Sequence, residues 1–126
     1  MNGFVDSDSS QTQLANHALV FMYVPLLFNW VQPVAVFARH NAASGDVMLH
    51  ILMQIIIQLE QASVRVVGFT HDGSQSNKRI WKNFGISGKV GNVVCSIPNP
   101  IEESRKIWAF SDAVHVIKCI IHNFYK

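Results

Sequence analysis

Charge is scarce in this 126-residue chain: Asp, Glu, Lys and Arg make up 14% of it against 49% hydrophobic residues. That balance excludes a disordered, solvated tail and suits one compact domain. Cysteine is nearly absent: only Cys95 and Cys119 occur, without C-x-x-C spacing. The first residues also lack the basic-then-apolar pattern of a secretory signal, so an intracellular, reducing setting with no disulfide is expected. An uninterrupted apolar run is missing too. The stretch from Ala18 to Ala38 has about the length that crosses a bilayer, but Pro25, Asn29, Gln32 and Pro33 break it. Its Val, Phe, Tyr and Leu residues read better as two buried strands, 18–27 and 33–39, joined at Phe28-Asn29-Trp30. No internal repeat or low-complexity segment is present.

Basic residues are almost lacking from the first half. Residues 1–63 hold one base, Arg39, against four acids, net −3, whereas residues 64–126 hold nine bases against four acids, net +5. A basic second half fits contact with polyanions, although a solvated surface explains a charge of that size as well.

The elements follow in order. Residues 1–16, rich in Ser, Asp and Gln, form a polar lead-in. After the hairpin, Asn41-Ala-Ala-Ser44-Gly45 supplies capping chemistry for a helix over 46–62. Val47, Leu49, Ile51, Leu52, Ile55, Ile56 and Leu59 cover more than one face of it, which predicts deep packing; Gln54, Gln58 and Gln61 mark the wetter edge. Val66, Val67 and Phe69 then form a short buried strand that runs into Asp72 and Gly73. A helix over 76–84 is stopped by Gly85. A loop with Gly85, Gly88, Gly91, Pro98 and Pro100 leads to a strand over 106–110, and Ser111-Asp112 caps a last helix that runs to Tyr125.

Asp72 is the most telling residue of this map. In open α/β sheets ligands collect at the carboxyl ends of the strands, and a carboxylate there is a candidate metal ligand or general base. The plainer alternative is an Asx-type turn before Gly73. The order of strand, strand, helix, strand with aspartate, helix, strand, helix is what remains of an RNase H-like core once its first strand is removed. Periodicity alone does not separate it from other α/β folds.

The residues themselves resemble the RNase H-like domain of P-element-type transposases, found also in THAP-domain relatives. The resemblance runs from Gly3-Phe-Val-Asp6 through His17-Ala-Leu-Val-Phe-Met22, Asn29-Trp30 and Pro33-Val-Ala-Val-Phe37. It continues through Thr70-His-Asp72-Gly73 with Asn77, and through Arg105-Lys-Ile-Trp-Ala-Phe-Ser-Asp112 followed by His115, Ile117, Lys118 and Asn123. It implies an α/β chain with an incomplete RNase H-like fold, a mixed sheet (antiparallel hairpin, then parallel strands) and flanking helices, over residues 17–126. It further implies metal-dependent DNA strand cleavage and transfer, with DNA (transposon ends) as partner, Mg2+ as cofactor and a nuclear location. Paired cations suit phosphodiester attack because they neutralise charge on both sides of the phosphorus. Asp72 matches the family's catalytic, metal-binding aspartate and is the one residue carried over.

The departures predict an inactive polypeptide. The family's first catalytic aspartate lies upstream of the Gly-x-Val-Asp segment, and its last acidic ligand follows a nucleotide-binding insertion. Neither the first strand, the insertion nor that acid is expected in this chain, and the arginine before the Asn of the last motif is here His122. One carboxylate does not hold two magnesium ions. A missing strand also predicts an exposed sheet edge through which copies associate. A second functional class stays open, a non-catalytic module that binds nucleic acid or protein through its basic half. A small membrane-associated protein using residues 18–38 is the weakest reading.

Other polar residues have structural readings first. His71 reads as a turn residue, and Asp112 as a helix cap more than a metal ligand. His115, Cys119 and His122 share a helix face with zinc-like spacing, but no fourth ligand is evident and solvated histidines explain them. Lys118 and Lys126 read as charged surface more than phosphate contacts. Trp30, Trp81 and Trp108 read as core.

Overall fold

The computed structural model describes residues 15–40, 44–72 and 75–125. Most of the expected polar lead-in, the Gly3–Asp6 segment, residues 41–43 before the first helix, Gly73 and Lys126 lie outside the described residues. The chain divides into two units, 1–43 and 44–126.

The first unit is an antiparallel hairpin of β1 (His17–Tyr23) and β2 (Gln32–Arg39). Its register pairs Phe21 with Ala35 and Met22 with Pro33, so Val34 is the extra residue of a bulge. Pro33 brings no N–H to the ladder, which fits a break there. Phe21 and Phe37 meet edge to face at 6.3 Å, and Tyr23 lies 5.5 Å from Trp30. The first strand ends at Tyr23, short of the predicted 27, because Pro25 follows and cannot donate. Leu26, Leu27 and Phe28 in the connection are 80%, 89% and 67% exposed.

The second unit opens with α1 (Gly45–Gln61), and the predicted cap is in place: Ser44 accepts from the Val47 amide through its hydroxyl. Gln54, Gln58 and Gln61 face solvent as expected. The deep packing does not follow, since only Gly45 and Ile56 of this helix are buried and Val47 is 40% exposed. Then come β3 (Gly68–His71), α2 (Gln75–Asn83), β4 (Ser87–Lys89), β5 (Asn92–Val94), β6 (Ser96–Pro98), β7 (Lys106–Ser111) and α3 (Ala113–Phe124). Gly85, at φ +70°, ends α2 as predicted, with its N–H on the Lys82 carbonyl and the Ile86 N–H on that of Trp81.

One sheet has the order β3-β7-β6, with β3 parallel and β6 antiparallel to β7; β4 and β5 form a separate hairpin. The hairpin, the parallel pair and the flanking helices are thus present as the sequence predicts. The segment 86–98, expected to be loop, instead supplies three short strands. Among the described residues β3 pairs on one side only. The core of this unit is Ile56, Val66, Ile97 and Ile107, with Leu52, Met53, Leu59, Phe69, Phe84 and Ile86 packed against it. Among the described residues no helix is long and apolar enough to cross a membrane.

Candidate functional site

The parallel pair of β3 and β7 sets the geometry. Its register runs from Gly68 opposite Trp108 to His71 opposite Ser111, so Asp72 and Asp112 are the next residues at the same end of both strands. The Asp112 N–H donates to the His71 carbonyl at 3.2 Å and closes the ladder there. At the other end, the Trp108 N–H donates to the Val67 carbonyl at 2.9 Å. Gly68 makes this pairing possible: a Cβ there would lie 2.6 Å from both the Trp108 carbonyl oxygen and Phe110 Cε2. Because one obstacle is backbone, relief requires the strands to part. Gly68→Ala is therefore expected to cost about 1–3 kcal/mol in urea unfolding, with faster amide exchange in β3; unchanged stability would refute the close approach.

Asp72 is exposed and lines a cavity of about 310 Å³ at the carboxyl ends of these strands. The walls come from Lys78 and Trp81 on α2 and from His115, Cys119 and Asn123 on α3. Helix α2 is held to α1 by Asp46, which pairs with Arg79 at 3.0 Å and accepts from Asn83 Nδ2 at 2.8 Å. Asp112 also borders the cavity, and its Oδ1 accepts from the Val114 and His115 amides at 2.9 and 3.2 Å, so the predicted helix cap is formed.

His71 is not the turn residue expected of it. It is the last residue of β3, its ring half-buried, with ring centres 6.1 Å from Phe69 and 5.0 Å from Trp81. Trp81 is half-buried at the cavity wall, and both its Nε1 and His71 Nε2 are buried without a hydrogen-bond partner. Trp30 and Trp108, expected in the core, are 49% and 43% exposed. The zinc-like face of α3 does not assemble: His115 and Cys119 reach the cavity, yet no group of three His, Cys, Asp or Glu side chains able to hold a metal exists among the described residues. Of the donors near Asp72, His115 and Cys119 offer an imidazole and a thiol, which magnesium disfavours, and the Asp112 carboxylate is already engaged as the cap of α3 through its Oδ1. The described residues therefore do not fit a two-magnesium centre.

A polar knot that sequence reasoning missed holds the strands from below. Glu60, in the last turn of α1, has a side chain 5% exposed. Its Oε1 accepts from the Val66 N–H at 2.9 Å and from Asn99 Nδ2 at 2.8 Å, and its Oε2 pairs with Arg105. Asn99, fully buried, accepts from the Ile101 and Glu102 amides through Oδ1. The Arg105 hydrogen bond, with further help from Val66 and Asn99, lowers the Glu60 pKa against its desolvation. Arg105 likewise lowers that of Glu102, and the two carboxylates raise its own.

The comparisons with known proteins agree with this architecture. The family model for the TNP-like, RNase H N-terminal domain matches residues 1–85. The human DNA transposase THAP9 is 26% identical over 129 residues, which covers 98% of this chain and 14% of that protein. The Drosophila P element transposase strand transfer complex superposes with a TM-score of 0.66 at 26% identity, covering 84% of this chain and 22% of that one. The chain thus spans less than a quarter of the length of either relative.

Proposed function

The chain belongs to the TNP-like, RNase H N-terminal domain family, and from that premise we propose that it is part of a P-element-like DNA transposase, where it contributes to strand cleavage and transfer. The supporting observation is Asp72, an exposed carboxylate at the carboxyl end of the parallel pair β3–β7 and on the rim of a cavity. In this reading Asp72 is one catalytic carboxylate of a centre whose other ligands lie outside the described residues. Mg2+ when bound would supply charge neutralisation at the phosphate; the nuclear location and association of copies through the β3 edge belong to the same reading.

In this reading the 126-residue polypeptide by itself is a DNA-contacting module without strand-cleaving activity, since one carboxylate does not hold two magnesium ions. The second reading, a module whose work is binding alone, rests on the basic residues of the second half. Both expect electrostatic contact with the phosphate backbone from the half that carries Lys78, Arg79, Lys82 and Lys118.

The test incubates the chain with a labelled random-sequence duplex and Mg2+ or Mn2+. Binding that weakens steeply with salt and leaves the strands unnicked is expected. Nicking that disappears in Asp72→Ala would overturn the inactive reading, and no binding even at low salt would overturn DNA contact.

A further inference from the structure

We infer that His71 is the positioning residue of Asp72, holding the backbone of the strand end so that the carboxylate keeps one place relative to Asp112. This rests on the reading of Asp72 as a functional carboxylate and adds the residue that fixes it. The side chain of His71 has Nδ1 2.7 Å from the carbonyl oxygen of Asp72 itself. A carbonyl only accepts, so Nδ1 must carry the proton and donate. The main-chain carbonyl of the same histidine takes the Asp112 N–H. One residue therefore ties to both aspartates, one through its ring and the other through its backbone.

The ring is in turn prevented from rotating away. Phe69, two residues earlier on the same side of β3, and Trp81 of α2 bracket it at 6.1 and 5.0 Å. With Nδ1 engaged, Nε2 is the nitrogen left over, and it is buried without a hydrogen-bond partner. A histidine kept there for the polarity of both nitrogens would have a partner for each. The arrangement instead uses a flat ring for packing and a single N–H for the turn. Without that N–H, the residue that follows the strand loses a constraint on its ψ angle just where the chain leaves the ladder.

Two substitutions separate the roles. His71→Phe keeps a ring between Phe69 and Trp81 and removes the donor, whereas His71→Asn places an amide nitrogen where Nδ1 stands. Backbone order parameters from 15N relaxation at Asp72 are the readout, together with the imidazole tautomer of the wild-type chain. In wild type, proton on Nδ1 and a rigid Asp72, about 0.85, are expected; in His71→Phe the order parameter at Asp72 drops below about 0.6 while β7 stays rigid, and His71→Asn restores it. An Nε2–H tautomer, an unchanged Asp72 in His71→Phe, or no recovery in His71→Asn would overturn the assignment. The tautomer is read on the unmutated chain, so the test survives a variant that does not fold. None of these readings depends on nicking or DNA binding, so failure here leaves the transposase reading standing, and failure there leaves His71 in place.

Discussion

Glu60→Ala is expected to strip about 3–5 kcal/mol from the unit 44–126, read as a large fall in the urea midpoint at unchanged slope. The cost arises from what is left behind. Arg105 loses its buried partner, while the Asn99 amide nitrogen and the Val66 N–H lose an acceptor in places where Glu60 itself is only 5% exposed. Unsatisfied buried donors cost more than the bonds they once made contributed. Against a total stability of about 5–15 kcal/mol for a domain, such a loss leaves a large unfolded fraction. Glu60→Gln keeps an oxygen for Val66 and Asn99 and should fall in between. A loss under about 1 kcal/mol in the alanine variant would mean that water replaces the carboxylate, and that the knot is not what joins α1 to the entries of β3 and β7.

The same carboxylate gives the unit a pH dependence of definite sign. Its pKa in the folded state is lowered, chiefly by the Arg105 hydrogen bond, from an ordinary value of 4.5. Below 4.5 the unfolded chain therefore binds the proton first, and stability falls as the pH drops through the folded value. The contribution is fully present above 4.5. Wild-type stability should accordingly decline more steeply below pH 4.5 than that of Glu60→Gln, and parallel curves would assign the acid sensitivity to other groups such as Glu102, whose pKa is lowered as well.

What the sequence disclosed was the part of the fold that depends on near neighbours. Ser44 and Asp112 cap the helices that follow them, and Gly85 ends α2, because each effect acts within one turn of chain. Asp72 was legible at the end of a strand for the same reason. The strands β4, β5 and β6 were not, since three residues apiece show no period and the segment also holds Gly88, Gly91, Pro98 and Pro100. β4 and β5 pair with each other across Val90 and Gly91, and β6 finds its partner in β7. The Glu60 knot was hidden by distance, as its partners lie 6, 39 and 45 residues away. Its only local sign was a lone acid near the end of an apolar helix. Trp108 reads as core from its apolar strand position alone, which does not tell which face of the strand is covered. Ile107 beside it is fully buried while Trp108 is 43% exposed, which is the alternation of a strand packed on one side.

That alternation makes Ile107→Ala the second large effect. Ile107 has no exposed surface, sits in the cluster with Ile56, Val66 and Ile97, and pairs with Ile97 across the β6–β7 ladder. Removing its outer carbons opens a void between a helix and three strands, and burial loss plus cavity cost together come to about 2–5 kcal/mol. Truncating the neighbouring Trp108 removes more atoms but from the other face, where water can follow. If packing on one side governs β7, Ile107→Ala lowers the urea midpoint further than Trp108→Ala although the deleted side chain is smaller. Equal losses would place apolar cover on both faces of the strand. Because β7 leads directly into Asp112 and holds β3 as far as His71, the Ile107 variant should also quicken amide exchange at Asp112, linking a cavity in the core to the strand end where Asp72 stands.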